Sequence, residues 1–244
     1  MAVVTKSIIV PCYNEAANLP ALISRFEALR TQDSDWELVL VNNGSTDDTA
    51  AVLVQEVASP SRSFIRVVTV PAPNVGYGHG IVTGLRAAKG QWLAWTHADG
   101  QTRPGDVLAA FELLTTSQDP QRTLVKGRRV NRPVKDELFT RGMQTVAHVV
   151  LGENLVDING QPKAFPRALL DLATAPPIDL SLDLYFLWLT RVHKFEVRCF
   201  DVSFGAREHG ESKWAASWKS KARNIARTVK FMAALRGGGE YPQA

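Results

Sequence analysis

Five consecutive residues, His97-Ala98-Asp99-Gly100-Gln101, have the types and spacing of a small cation site. They follow an apolar run at residues 92–95 that predicts a buried strand, and they precede Pro104, which suits the start of a helix. Side chains two residues apart at a strand end point the same way, so Asp99 can share a site with residue 97 or 101. A divalent cation that carries a diphosphate needs few protein ligands, because phosphate and water complete its shell. Asp99 could instead form a turn or cap a helix.

Strands and helices alternate over the first half of the chain. Apolar, β-branched runs predict four strands, at residues 7–10, 37–41, 64–70 and 92–95. Apolar residues at helical spacing between Leu19 and Leu29 predict a helix with Asn18 as its N-cap, and a short helix should follow the glycine-rich loop 74–80. This alternation predicts an α/β fold, a parallel sheet with helices on both faces. The basic region 127–141 is predicted to be irregular.

Polar and glycine-rich segments follow the carboxyl ends of these strands. They are residues 11–15, 42–47, 74–80 and 97–101. Ligands of parallel sheets bind beyond the carboxyl ends of the strands. Loops without a shared function would place such segments at both ends, so the pattern predicts one active site at one edge of the sheet.

The composition is that of a globular protein of 244 residues, 45% hydrophobic and 21% charged, with a net charge of +4. No apolar stretch approaches the roughly 18–20 residues that span a bilayer, and no signal peptide is expected. The two cysteines, Cys12 and Cys199, lie among apolar residues and are predicted to be small core residues in a reducing, cytoplasmic compartment. We expect no nucleic-acid partner.

Together these segments resemble the family 2 glycosyltransferases, in particular the branch that contains dolichyl-phosphate mannose synthase and bacterial polyprenyl-phosphate sugar transferases. Residues 10–15 are similar to the family's opening strand and turn, and residues 41–47 occupy the place of its Asp-Asp-Gly-Ser loop. Residues 74–78 are similar to its donor-side glycine loop, and residues 97–101 stand where its metal-binding Asp-x-Asp is expected. The match continues downstream at residues 127–129, 141, 157–163, 207 and 210–213.

The resemblance implies a GT-A fold over residues 1–212, with a Rossmann-like, mostly parallel sheet. It also implies a nucleotide-diphosphate sugar donor, a Mg²⁺ or Mn²⁺ ion and inversion at the anomeric carbon. Matched position by position, the nucleotide-sugar residues would be Pro11, Tyr13, Glu15, Asn42, Asn43, Gly76, Tyr77 and Asp99. The metal residues would be Asp99, Gln101 and His97. Arg129 and Arg141 would be catalytic, and Arg207, Ser212 and Lys213 would meet phosphates or the acceptor.

Two positions depart from the family pattern. His97 replaces the first metal-site aspartate, and its softer imidazole either favours Mn²⁺ over Mg²⁺ or leaves metal contact to Asp99 and Gln101. Asn42 and Asn43 replace the nucleotide-loop carboxylates. An amide both donates and accepts hydrogen bonds without a charge, so the preferred base does not follow from the resemblance.

Two later segments each allow two interpretations. Asp183 lies at the start of an apolar helix, where a carboxylate interacts favourably with the helix dipole. If the acceptor is a hydroxyl, Asp183 is the candidate general base; a phosphate acceptor is already ionised and needs none. Residues 213–236 predict a basic amphipathic helix, with a flexible tail over 237–244. Its apolar stripe contains Trp214 and Trp218, and the helix either packs on the domain or lies on an anionic membrane.

The leading function is transfer of a hexose to a polyprenyl-phosphate or lipid-linked acceptor, by a cytoplasmic protein with peripheral contact to the inner membrane face. A soluble transferase that acts on a saccharide hydroxyl in surface-polysaccharide synthesis is the second hypothesis. The third is a catalytically weak partner subunit that binds nucleotide sugars, against which the surviving Asp99, Gln101, Arg129 and Arg141 argue. A nucleotidyltransferase would need a basic glycine-rich loop near its N-terminus, which the sequence does not contain.

Overall fold

Seven strands and eight α-helices are seen in the computed structural model, which describes residues 3–31, 34–131, 134–205 and 218–237. The strands are β1 (Lys6–Cys12), β2 (Trp36–Asn43), β3 (Ile65–Val70), β4 (Trp92–Trp95), β5 (Thr123–Val130), β6 (Lys163–Pro166) and β7 (Glu196–Ser203). The helices are α1 (Leu19–Glu27), α2 (Thr49–Val57), α3 (Tyr77–Ala87), α4 (Pro104–Thr115), α5 (Val134–Leu151), α6 (Arg167–Asp171), α7 (Leu182–Val192) and α8 (Trp218–Arg236). Short 3₁₀ turns lie at Pro60–Arg62 and Pro120–Arg122.

The strands form one sheet in the order β3-β2-β1-β4-β6-β5-β7. All neighbours are parallel except β6, which runs antiparallel to both β4 and β5. The predicted mostly parallel sheet is therefore confirmed. The antiparallel β6 has no counterpart in the sequence-based prediction.

Both faces of the sheet are covered, because side chains alternate along each central strand. In β1, Ile8 and Val10 pack toward α1, α2 and α4, whereas Ile9 packs toward α3 and α7. Two apolar cores result, one on each face. The predicted helices on both faces are confirmed.

The four predicted strands are confirmed with small changes at their ends, and α3 begins at Tyr77, inside the predicted glycine loop. Asn18 does occupy the N-cap position of α1, but its side chain makes no capping hydrogen bond. Its Nδ2 donates instead to Glu15 Oε2, at 2.6 Å. Asn18 therefore ties the start of α1 to the loop after β1.

Two predictions were wrong. The described residues of 127–141 are not irregular: β5 continues to Val130 because it pairs with β7 along its whole length, and α5 begins at Val134. Cys199 is not a core residue, since it lies exposed on the edge strand β7, whereas Cys12 is buried as expected.

Helix α8 packs against α5 and buries Phe231 and Met232 in one of the two cores. The part of the predicted amphipathic helix at residues 213–217, which contains Trp214, lies outside the described residues, as does most of the tail predicted over 237–244. Within the described part of the chain, we find no helix whose length and apolar content would let it cross a membrane.

Replacing Gly84 in α3 by alanine is expected to destabilise the protein by about 1–3 kcal/mol, because the added methyl would overlap the stiff side chains of Ile9 and Val41. The matched control is Gly142→Ala in α5, where an added methyl meets nothing within 4 Å. Alanine should there stabilise the helix by about 0.5–1 kcal/mol. Urea unfolding measures both changes. Equal effects of the two substitutions would contradict this packing of α3 on the sheet.

Candidate active site

The carboxyl ends of β1, β2 and β4 lie side by side, since these strands are parallel neighbours. Cys12 pairs in register with Asn42, and the Thr96 N–H donates to Ile9 O at 3.0 Å. The loops that follow these strands therefore meet at one edge of the sheet. This is the edge at which the sequence predicts the active site.

The loops after β1 and β2 are locked together by hydrogen bonds. The Asn14 backbone N–H donates to Ser45 Oγ at 3.1 Å, and Asn14 Oδ1 accepts from the Thr46 N–H at 2.8 Å. The Glu15 N–H donates to Thr49 Oγ1 at 2.9 Å. Five predicted nucleotide residues thus come together here: Pro11, Tyr13, Glu15, Asn42 and Asn43.

Asn43 has a structural reason to be an amide rather than a carboxylate. Its Nδ2 donates to Gly76 O at 2.9 Å, and its backbone carbonyl accepts from Asn74 Nδ2 at 2.7 Å. A carboxylate cannot donate to Gly76 O, so an aspartate here would repel the glycine loop. Gly76 itself has φ of +145°, and a side chain there would meet Ile178 O. Asn43 therefore holds the glycine loop beside the nucleotide loops.

Asp99 is 4% exposed and lies on a tight turn after β4. Its Oδ1 accepts from the Gln101 N–H at 3.2 Å, and Gly100 has φ of +73°. Gln101 in turn exchanges two hydrogen bonds with Gly205: Nε2 donates to Gly205 O at 2.9 Å, and the Gly205 N–H donates to Gln101 O at 3.1 Å. The turn is thus joined to the segment that follows β7.

His97 stacks on Tyr77, with ring centroids 5.8 Å apart and ring planes 25° from parallel. Burial lowers the pKa of His97, and the carboxylates of Asp99 and Asp183 only partly oppose that shift. The imidazole is therefore neutral at neutral pH. Burial, with the same two carboxylates, raises the pKa of Tyr77 and keeps its hydroxyl protonated.

These donors fit a cation that arrives with a phosphate ligand. Asp99 supplies a hard carboxylate, and a neutral His97 two residues before it has a nitrogen lone pair to offer. Within the described ranges, no three His, Cys, Asp or Glu side chains gather into a site that would hold a metal by themselves. The residues therefore suit a cation whose remaining ligands come from a diphosphate.

Arg129 lies on β5 and is paired with Asp157. The Arg129 backbone N–H donates to Asp157 Oδ2 at 2.8 Å, and its Nε donates to Oδ1 at 3.1 Å. This guanidinium lies 5.3 Å from the centre of the Phe204 ring, and its positive charge contributes to the lowered pKa of His97. Although burial opposes ionisation, the hydrogen bonds and charge of Arg129 lower the pKa of Asp157 to about 2. Asp157 therefore holds the Arg129 side chain beside the 97–101 turn.

A second ion pair joins Lys163, on β6, to Asp183, in the first turn of α7. Lys163 is 0% and Asp183 2% exposed. Lys163 Nζ also donates to Gly160 O at 3.0 Å, and Asp183 Oδ1 also accepts from Gln161 Nε2 at 2.7 Å. The carboxylate predicted as a possible general base is thus buried and paired.

Four residues of this group have no individual role in the sequence-based prediction, although residues 157–163 belong to its family match: Lys126, Asp157, Gln161 and Lys163. Lys126 is fully buried and donates to the backbone carbonyls of residues 127, 156 and 157. Burial, together with the ammonium of Lys163, lowers the pKa of Lys126 to about 8. A signal was present, because both lysines lie beside apolar residues in strand sequences, where a charge needs a partner.

Four predicted site residues remain, and the structure describes one of them. Arg141 is on α5, its side chain 71% exposed and paired with Glu137 one turn earlier. Arg207, Ser212 and Lys213 lie outside the described residues. Their contacts with phosphate or the acceptor stay predictions.

Comparison with known proteins identifies relatives. The sequence model described as glycosyl transferase family 2 matches residues 7–171. An undecaprenyl-phosphate 4-deoxy-4-formamido-L-arabinose transferase from Photorhabdus laumondii is 26% identical over 215 residues, which are 86% of this chain but 62% of that protein. An uncharacterised glycosyltransferase from Mycobacterium tuberculosis is 32% identical over 219 residues, covering 86% of this chain and 90% of its own. The chain thus spans less than two thirds of the arabinose transferase.

The fold is also found among solved structures. Glucosyl-3-phosphoglycerate synthase from Mycobacterium tuberculosis, crystallised with Mn²⁺, UDP and glucosyl-3-phosphoglycerate, superposes with a TM-score of 0.71. The two proteins are 22% identical, and the match covers 96% of this chain and 80% of the synthase. The same synthase with Mg²⁺ and UDP also gives a TM-score of 0.71. The predicted GT-A fold is confirmed.

The low pKa of Asp157 predicts that stability depends on acid. A carboxylate whose pKa falls on folding stabilises the protein above its ordinary value of 3.8, and this contribution is lost as the pH falls through about 2. We expect Asp157→Asn to lower the free energy of unfolding by about 2 kcal/mol at neutral pH. Urea unfolding at a series of pH values should show this difference shrinking below about pH 4.

The control for this experiment is Asp201→Asn, which breaks an exposed ion pair with Arg128. An exposed pair contributes little, so this variant should follow the unsubstituted protein at every pH. A deficit of Asp157→Asn that stays constant from neutral pH to about pH 2 would contradict the assigned ion pair.

Proposed function

Since the chain belongs to glycosyl transferase family 2, we propose that it moves a hexose from a nucleotide-diphosphate sugar to a polyprenyl-phosphate acceptor, with inversion at the anomeric carbon. The observation that carries this proposal is the convergence of four loops on the buried carboxylate of Asp99. Two of them interlock after β1 and β2, the glycine loop is bound to Asn43, and Tyr77 stacks on His97.

The donor would lie across these loops. The nucleotide would contact Pro11, Tyr13, Glu15 and Asn42, and its diphosphate would reach Asp99 with a Mg²⁺ or Mn²⁺ ion. Asp99, helped by His97 or Gln101, would hold that ion, and the ion would supply positive charge next to the departing diphosphate. The Mn²⁺ and UDP named with glucosyl-3-phosphoglycerate synthase support this assignment by analogy.

Arg129 would stabilise the negative charge of the departing diphosphate directly, in addition to the cation. Asp157 uses only part of the hydrogen-bonding capacity of its guanidinium, so further N–H groups can donate to phosphate. An oxygen of the acceptor phosphate forms a bond to the anomeric carbon from the face opposite the diphosphate. The bond from that carbon to the diphosphate breaks, and the diphosphate leaves with the electron pair.

A phosphate acceptor agrees with the state of Asp183. A hydroxyl acceptor would have to lose a proton, and Asp183 would be the candidate base. That carboxylate is 2% exposed and already accepts hydrogen bonds from Lys163 and Gln161. An ionised phosphate needs no base, and this favours it over a saccharide hydroxyl.

The surface around α5 and α8 supports an acceptor that is a lipid. Leu138 and Val149 of α5 are exposed apolar side chains, and Arg227 and Lys230 of α8 are exposed and basic. Between these helices and α7 lies a cavity with mostly apolar walls, formed by Met143, Ile158, Asn159, Leu180, Leu184, Asn224, Ile225 and Thr228. The exposed apolar side chains of α5 would contact the hydrocarbon of the acceptor, while the basic residues of α8 contact anionic lipid. The undecaprenyl-phosphate named with the Photorhabdus relative is an acceptor of this kind.

Asp99→Asn is expected to remove metal-dependent nucleotide binding and leave the fold intact. An asparagine can still accept the Gln101 N–H through Oδ1, so the turn survives while the charge is lost. Calorimetric titration with UDP and with GDP, each with and without Mn²⁺, measures the effect. The control is Asp106→Asn, which alters a carboxylate that caps α4. Full Mn²⁺-dependent binding by Asp99→Asn would refute the metal assignment.

The acceptor proposal predicts transfer to undecaprenyl phosphate in anionic liposomes. The assay offers radiolabelled UDP-glucose, UDP-N-acetylglucosamine and GDP-mannose, and follows label that extracts with lipid. Arg227→Glu/Lys230→Glu should lower transfer on liposomes by at least about tenfold, because each basic residue near an anionic leaflet contributes about 1 kcal/mol. Transfer in neutral detergent micelles should be unchanged, which also shows that losing the Arg227–Asp179 contact at 3.6 Å does no damage.

The matched control, Arg86→Glu/Lys89→Glu, reverses the charge of two exposed basic residues at the carboxyl end of α3, away from α8. It should leave transfer on liposomes unchanged. Transfer to soluble saccharides but not to undecaprenyl phosphate would favour the saccharide-hydroxyl function. No transfer to either acceptor with any of the three donors would contradict the proposed activity.

A further inference from the structure

Stability does not explain the ion pair between Lys163 and Asp183. Both side chains are out of water, at 0% and 2% exposure. Removing two charges from water carries a desolvation penalty that their attraction often fails to offset, and uncharged replacements of similar volume are often as stable. A pair buried this deeply is therefore expected to have another role.

The position of the pair suggests that role. Lys163 is in register with Trp95, the last residue of β4, and its Nζ lies 5.5 Å from the centre of the Trp95 ring. The 97–101 turn begins two residues after Trp95. Asp183 lies in the first turn of α7, so the ion pair fastens the base of that turn to α7.

Gln161 extends the connection to the glycine loop. Its Nε2 lies 2.7 Å from Asp183 Oδ1 and 3.4 Å from the Tyr77 hydroxyl oxygen. Tyr77 begins α3 and carries the ring on which His97 stacks. The segment before α7 reaches the same loop, since Ile178 O accepts the His79 N–H at 3.1 Å. Asp183 is thus where the glycine loop, the 97–101 turn and α7 are joined.

We propose that Lys163 and Asp183 are positioning residues for the donor. They fix Tyr77 and His97 relative to Asp99, so that a cation and a diphosphate meet donors already in place. Both side chains are buried, and they act through these neighbours rather than by touching the substrate. Such support for a site is expected wherever a small error in geometry slows the reaction. The inference rests on the proposed donor site around Asp99.

The test replaces the pair by a neutral one, Lys163→Met/Asp183→Asn, which keeps the side-chain volumes. The Oδ1 of the new asparagine can still accept the hydrogen bond that Gln161 Nε2 donates. Titration with UDP or GDP, whichever the unsubstituted protein binds, is done with Mn²⁺ well below the unfolding temperature. We expect the nucleotide Kd to rise about tenfold and kcat to fall about 10- to 100-fold. The KM for undecaprenyl phosphate should change less than about twofold. A residue that only stabilises the fold would change none of these in folded protein.

The matched control is Arg66→Met/Glu37→Gln, which neutralises a partly buried ion pair at the amino ends of β2 and β3. It should leave nucleotide Kd and kcat unchanged. Should the Lys163/Asp183 double variant fail to fold, Gln161→Leu removes the link to Tyr77 without touching a charge, and it should raise the nucleotide Kd in the same way.

Three results separate this inference from its premise. Unchanged nucleotide Kd and kcat in the folded double variant, or in Gln161→Leu if that variant is needed, would overturn the positioning role. A fall in kcat with an unchanged nucleotide Kd would also overturn it, and would indicate that Asp183 acts on the acceptor. If the unsubstituted protein transfers no sugar, the proposed function fails, and the Mn²⁺-dependent nucleotide Kd still decides whether the pair positions the donor site.

Discussion

Charge buried beneath the strand ends has to be paired, and the rest of the site depends on how this protein pairs it. Lys126 and Lys163 face each other in register across β5 and β6, both fully buried. Lys126 donates hydrogen bonds to backbone carbonyls, and Lys163 forms an ion pair with Asp183. The loop between α5 and β6 supplies most of these partners, and it lies close to β5 because Gly160 has no side chain to strike the carbonyl of Gly127. The same loop contacts neighbours of the 97–101 turn, since Asp157 pairs with Arg129 and Gln161 lies 3.4 Å from the hydroxyl oxygen of Tyr77, on which His97 stacks.

The candidate site has neutral groups, Asn43 and His97, at positions where the resemblance to family 2 leads us to expect carboxylates. Asn43 donates to the glycine loop, which an ionised carboxylate cannot do, and a neutral His97 can stack on Tyr77 without bringing a charge into a buried site. These changes leave Asp99 as the carboxylate of the turn. They are therefore compatible with the proposed donor site, in which a cation would take its remaining ligands from the diphosphate.

The local sequence pattern was enough to predict the edge of the sheet at which the candidate site lies, because strand ends and glycine loops can be recognised from a few neighbouring residues. It failed where pairing between distant segments decides the outcome. Basic residues made 127–141 look irregular, yet β5 pairs with the distant strand β7 from Thr123 to Val130. Cys199 was predicted to be a core residue because its neighbours in the sequence are apolar. Its exposure follows from the position of β7 at the edge of the sheet, which those neighbours do not reveal. The contact of Asp183 with Lys163 spans 20 residues and different elements, so no local pattern reveals it.

The central claim is that Asp99 receives the diphosphate of a nucleotide sugar with its cation. Anomalous scattering from crystals grown with Mn²⁺ and the nucleoside diphosphate that the protein binds tests it most directly. The account predicts one manganese peak next to the Asp99 carboxylate and the bound diphosphate, with the guanidinium of Arg129 beside that diphosphate. A manganese peak away from Asp99, or a diphosphate bound elsewhere in the protein, would contradict it.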